Sequence, residues 1–140
     1  MASKFSAFMA QNVEKIENKK VIVSERFKEN GKPVEWEIRA ITEDENQALQ
    51  RKAYVNVPVT GQRGAYTREM DQVKYTSMML AASVVFPDLN DAELQDSYGV
   101  KTPDELLKKM LIPSEMGILA EAVTSFIKRG EADLIAEAKN

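Results

Sequence analysis

The stretch FPDLNDAELQDSYGV, residues 86–100, gathers Asp88, Asn90, Asp91, Glu93 and Asp96 into one short segment. Oxygen donors this close together are what a calcium or magnesium ion requires. A helix-loop-helix calcium loop beginning at Asp88 puts Asn90 in its third place and Ala92 in its fifth. It then has Glu93 where a glycine must turn the chain, and Gly99 where a bidentate acid must close the site. The pattern fails at those last three places, so no metal site is expected. Helix punctuation fits the same residues better. Asn90 is the expected N-cap with Glu93 returning the bond, Asp91 favours the positive helix end, and Leu89 and Leu94 form a hydrophobic staple. Gly99 supplies a left-handed stop, which predicts a single short helix over about 91–98.

Other chemistry is limited by what the chain lacks. It contains neither cysteine nor histidine. That removes disulfides, thiolate and imidazole metal sites, and nucleophile systems that use a histidine base. Glu43, Asp44 and Glu45 are the densest remaining acids, but Thr42 and Glu45 form a capping box that accounts for them. No nucleophile pairs with them, so a carboxylate hydrolase is the weakest of the readings, and neither catalytic residues nor cofactors are expected. Gly61-Gln62-Arg63-Gly64 lacks the lysine and hydroxyl residue of a phosphate loop. The net charge of −3 is spread evenly, without the dense basic stripe that binding nucleic acid needs. The longest apolar run, MMLAASVVF at 78–86, is far short of a membrane span, and MASKFSAFMAQN has too little apolar length for a secretory signal. A product that stays in the cytoplasm where it is made is expected.

The elements that would carry these residues read as one α+β domain over 1–140, with 44% hydrophobic and 29% charged residues. The expectation is a mostly helical body with one antiparallel hairpin, about 21–41, packed on four or more helices. The hairpin's strands are Val21–Phe27 and Val34–Ile41, around a loop somewhat longer than two residues that contains Asn30-Gly31. Val34, Trp36, Ile38 and Ala40 alternate with charged residues, which buries one face and makes Trp36 a core anchor. Helices are predicted over 5–16, 43–53, 68–86, 103–111 and 114–129, with 57–66 as a loop. The 68–86 helix is apolar nearly all round in its second half, as a central core helix or an interface helix is. Trp36, Ile38, Leu80, Val84, Leu94, Leu119 and Val123 are the predicted core. The ends, 1–16 and 131–140, are the candidate flexible segments.

Three ordered blocks carry a resemblance: KPVEWEIRAITEDENQAL, VPVTGQRGAYTREMD and FPDLNDAELQDSYGV. Together they resemble the XkdN-like tail assembly chaperones of phages and PBSX-type prophages, over about Ala7 to Leu119. The tryptophan strand running into the capping box and the LNDAELQDSYG segment are the most specific parts. The resemblance implies a non-enzymatic protein that binds and solubilises the tape measure protein during tail morphogenesis. It also implies help in recruiting tail tube protein, and absence from the finished virion. Many such proteins have a longer frameshifted second product, and this chain resembles the shorter one. The runner-up is a small structural subunit of the tail, a connector or tube-completion protein.

A chaperone of a long helical client needs exposed apolar surface. Met78, Met79, Met110 and Met116 are the candidate adaptable surface, with filling of the core as the equal alternative. Leu134 and Ile135, in the C-terminal tail, are candidates for contacts between neighbouring copies on one client; docking on the chain's own body is the equal alternative.

Overall fold

The computed structural model describes residues 4–126. Among these residues, seven strands in three small sheets accompany five α-helices and one turn of 3₁₀ helix at Ser6–Phe8. The α+β class holds, but the expected mostly helical body with a single hairpin does not.

The first excursion is where the hairpin was expected, in a broken form. β1 (Lys19–Val21) pairs antiparallel with β4 (Trp36–Ile38), and β2 (Lys28–Glu29) pairs with β3 (Lys32–Pro33). The turn is two residues, Asn30 and Gly31, tighter than expected; both have positive φ, 53° and 76°, as a type I′ hairpin turn demands. Between the two paired segments the outgoing chain has residues 22–27 and the returning chain only 34–35. The surplus bulges out of the ladder, and Val23 and Ser24 in it are buried. Trp36 is 1% exposed and packs on Phe27, with ring centroids 6.1 Å apart, so the expected anchor is an anchor.

α1 (Glu43–Lys52) begins as predicted. Thr42 Oγ1 accepts from the Glu45 amide at 3.2 Å, and Glu45 Oε1 accepts from the Thr42 amide at 3.0 Å. Arg39 forks onto the same carboxylate at 3.0 and 2.5 Å, which holds Glu45 down at about 2.

The largest correction follows. β5 (Tyr54–Pro58) and β6 (Tyr66–Met70) form a second hairpin, where a loop and the start of a long helix were predicted. Its sequences, YVNVP and YTREM, are rich in aromatic and β-branched residues, which favour strand. In β5, Val55 and Val57 alternate with exposed Tyr54, Asn56 and Pro58 but are only half-buried, and β6 is exposed except at Met70, so the hairpin gives a weak strand signal.

α2 (Gln72–Ser83) therefore starts at an Asp71 cap, whose Oδ1 accepts from Lys74 N at 3.1 Å. It stops before VVF, which continues as β7 (Val84–Phe86) on the free side of β4. Two β-branched valines and the extended backbone required ahead of Pro87 explain why an apolar run of helical length ends as strand.

α3 (Ala92–Ser97) is capped one residue later than predicted. Asp91 Oδ1, not Asn90, accepts from Leu94 N at 2.9 Å, while Asp88 Oδ1 accepts from Asn90 N at 3.0 Å in a separate turn. Glu93 thus falls too early to return a bond, and Leu89 lies outside the staple position. Leu89 is buried all the same. The C-terminus behaves as expected: Gly99 has φ +70°, Val100 N donates to Gln95 O and Gly99 N to Asp96 O. That pair of bonds is a Schellman stop.

α4 (Pro103–Met110) has its Thr102 cap and Pro103 start, and α5 (Pro113–Thr124) follows after two residues. The core joins Trp36 and Ile38 of the sheet to Leu80, Leu89, Leu106, Leu107, Leu119 and Val123. Val84 and Leu94, predicted to be core, are half-buried against its edge.

Candidate functional site

Glu115, three positions after the N-cap Ile112 of α5, gathers hydrogen bonds from three other residues. Isoleucine has no side-chain acceptor, so only the returning half of a capping box exists: Ile112 N donates to Glu115 Oε1 at 3.0 Å. The Ser24 hydroxyl donates to Oε2 of the same carboxylate, and Arg26 grips both of its oxygens, with Nε at 2.9 Å from Oε2. Arg26 Nη2 also donates to Met110 O at 2.8 Å, at the end of α4. The bulge at 22–27 therefore exists to carry Ser24 and Arg26 to the α4–α5 junction. The Arg26 fork, ahead of the Ser24 and Ile112 hydrogen bonds, holds the Glu115 carboxyl at about 2, against 4.5 ordinarily. A carboxylate so depressed is a weak base at neutral pH, and it does not activate Ser24. This cluster is a structural lock.

Two open grooves and an apolar arm are the features that suit binding. One groove, about 360 Å³, is lined by Ile16, Ile41, Tyr75, Met79, Val123 and Phe126, with Arg39 and Asn46 at its polar side. Tyr75 OH donates to Asn46 Oδ1, which fixes α2 to α1 there. Lys19 secures the neighbouring edge, reaching Ser125 Oγ at 2.9 Å with its ammonium 4.6 Å from the centre of the Phe126 ring. The second groove, about 690 Å³, lies between α1, α2, β7 and the start of α4 and includes Leu49, Lys52, Met78, Ala82, Val85 and Asp104. The N-terminal arm leaves Phe5, Phe8, Met9, Val13 and Ile16 exposed, Phe8 at 81%. Soluble proteins seldom expose so much apolar surface in one short segment without using it.

The family model for the XkdN-like phage tail assembly chaperone protein matches residues 5–137. The chain belongs to the XkdN-like tail assembly chaperones. A crystal structure of the protein YqbN shares the fold, with a TM-score of 0.72 over 89% of this chain and 96% of that one, at 22% identity. None of the curated proteins matches the chain.

In this chaperone the methionines named from sequence do not form one patch. Met78 and Met79 are adjacent on α2 but line different grooves. Met116 is half-buried against the core, and Met110 is buried within it at 6% exposure. Leu134 and Ile135 lie outside the described residues. The arm was expected as a helix over 5–16, and the Ser24–Arg26–Glu115 lock was not expected at all. Phe5, Phe8, Met9, Val13 and Ile16 do fall on one helical stripe, but the structure forms only a single 3₁₀ turn there, at Ser6–Phe8, and leaves the stripe exposed. Nothing local marks Glu115 as the partner of residues about ninety positions away.

No helix among the described residues is long and apolar enough to cross a membrane.

Proposed function

We propose that this chaperone binds the tape measure protein of its phage or prophage and keeps it soluble while the tail is assembled. The reading rests on membership of the tail assembly chaperone family. The exposed apolar arm and the two grooves support it, since a holding protein needs apolar surface that it does not bury itself. The role is non-catalytic: the chain acts as one domain in the host cytoplasm, brings tail tube protein to the growing assembly and is left out of the finished particle. Many copies coat one client, each binding weakly and gaining from neighbours, because a 140-residue chain covers little of a client as long as a tail.

Co-expression of the chain with the tape measure protein encoded nearby tests this. A soluble complex with several chaperones per client is the expected result; a client that stays insoluble with the chaperone present overturns the reading. A second reading, a small structural subunit of the tail, draws on the β5–β6 hairpin, whose strands pair only with each other and are mostly exposed. Finding the chain in purified tails would favour it.

A further inference from the structure

The second half of α2 is apolar on nearly every side, and a helix of that kind is covered all round or is part of an interface. Leu80 and Ala81 are buried in the core and Met79 turns to the smaller groove. One strip remains. Met78 and Ala82, one turn apart on α2, and Val85, on β7 directly after it, line the larger groove, with Val85 39% exposed. Charges of both signs line it: Lys52 at the end of α1, Asp104 in the first turn of α4, and Asp88, together with Arg39, which is already paired with Glu45. Neither Lys52 nor Asp104 has an ion-pair partner among the described residues.

We propose that this groove is the client's docking site, and that it takes an amphipathic helix flanked by charges of both signs. The inference rests on the chaperone reading above and adds where the client binds and what its segment is like. The apolar stripe of the helix lies on Met78, Ala82 and Val85, its acidic flank against Lys52 and its basic flank against Asp88 and Asp104. Methionine at one end of the strip lets the surface adjust to different apolar side chains, which suits a client presenting many similar helices. A strand is the poorer occupant. The free edge of β7 is three residues long and runs into Pro87, which has no amide to donate, so strand addition gains few backbone bonds.

The probes are three synthetic helical peptides of about 18 residues, long enough to form a helix in the groove. All carry the same leucine stripe; their flanks are one acidic and one basic, both acidic, or both basic. The mixed peptide should bind the full chain best and gain helical circular dichroism on binding, whichever way round it lies. Val85→Glu should weaken it by about tenfold or more, as loss of a central anchor does. Lys52→Glu, at an exposed position where folding is not at stake, should transfer the preference to the peptide with two basic flanks. Equal binding of all three peptides, unchanged binding by the Val85→Glu chain with its melting temperature intact, or binding without helix gain each overturns the proposal. Co-expression of V85E with the tape measure protein separates the two levels. A full yield of complex from V85E removes the groove and leaves the chaperone reading standing, whereas no complex from the wild type removes the chaperone reading and leaves the peptides to judge the groove.

Discussion

The two hairpins of this chaperone invert the usual expectation. The first, from Lys19 to Ile38, is a poor ladder: short strands, two separate paired segments and a bulge between them. The second, from Tyr54 to Met70, pairs five residues with five in unbroken register. Yet the first contains the most deeply buried residues of the sheet and is locked onto two helices, while the second is mostly exposed. Backbone pairing exchanges water for protein partners at small net gain, whereas burying apolar surface contributes directly. The irregular region is therefore expected to be the stable one, and the regular region the one that opens first.

The sharpest attempt to break this comparison is Trp36→Ala. It removes the largest side chain of the core and should destabilise the fold by about 3–5 kcal/mol in chemical denaturation. A loss below about 1 kcal/mol would mean the first hairpin is not the anchor.

Glu115→Gln comes next. It keeps the shape but removes the charge that Arg26 and Ser24 are built around, so it should cost more than loss of any helix cap. Its signature is in the pH dependence. Glu115 and Glu45 both titrate at about 2 in the fold, below the ordinary 4.5. A depressed carboxylate contributes stability that is present above 4.5 and is lost as pH falls toward 2, where the folded carboxyl finally takes its proton. The wild type should therefore lose stability between pH 4.5 and 2, and the Glu115→Gln protein should lose less over that window. Parallel acid-unfolding curves would deny the lock its charge.

Cap substitutions give a smaller, local contrast. Asp91→Ala should cost about 1 kcal/mol, while Asn90→Ala should stay within about 0.5 kcal/mol, because only the first removes an acceptor of a helix amide. Equal losses would move the cap back to Asn90. The smallest effect belongs to the second hairpin. Tyr66→Ser, at a side chain 65% exposed, should change stability by no more than about 0.5 kcal/mol. Amides of 55–57 should exchange with solvent well before those of 36–38. Exchange in the opposite order would break the comparison outright.

Local signals were legible in proportion to how local their energetics are. The Thr42–Glu45 capping box, the Asn30-Gly31 turn, the Thr102-Pro103 start and the Gly99 stop each depend on residues within five positions of one another. The alternation around Trp36 announced a half-buried strand. The one-residue error at the α3 cap had a similar cause. Asn90 and Asp91 are both good caps, and the choice fell to Asp91 while Asp88 bonded the Asn90 amide.

The sequence by itself therefore determined the α+β class, the helix ends that cap themselves, the tryptophan anchor and, through its three blocks, the chaperone family. Tertiary structure alone decided three things. Local chemistry ends α2 before VVF, but which strand VVF joins was decided by β4, whose edge lay open beside it. Residues 22–27 left their ladder because Glu115 needed Arg26 and Ser24 more than β4 needed partners. Met110 went to the core and Met78 to a groove because the helices packed against each surface were different. Capping and turn energies are settled within one turn of chain, but the burial of a given side chain is settled only by what arrives from elsewhere in the sequence.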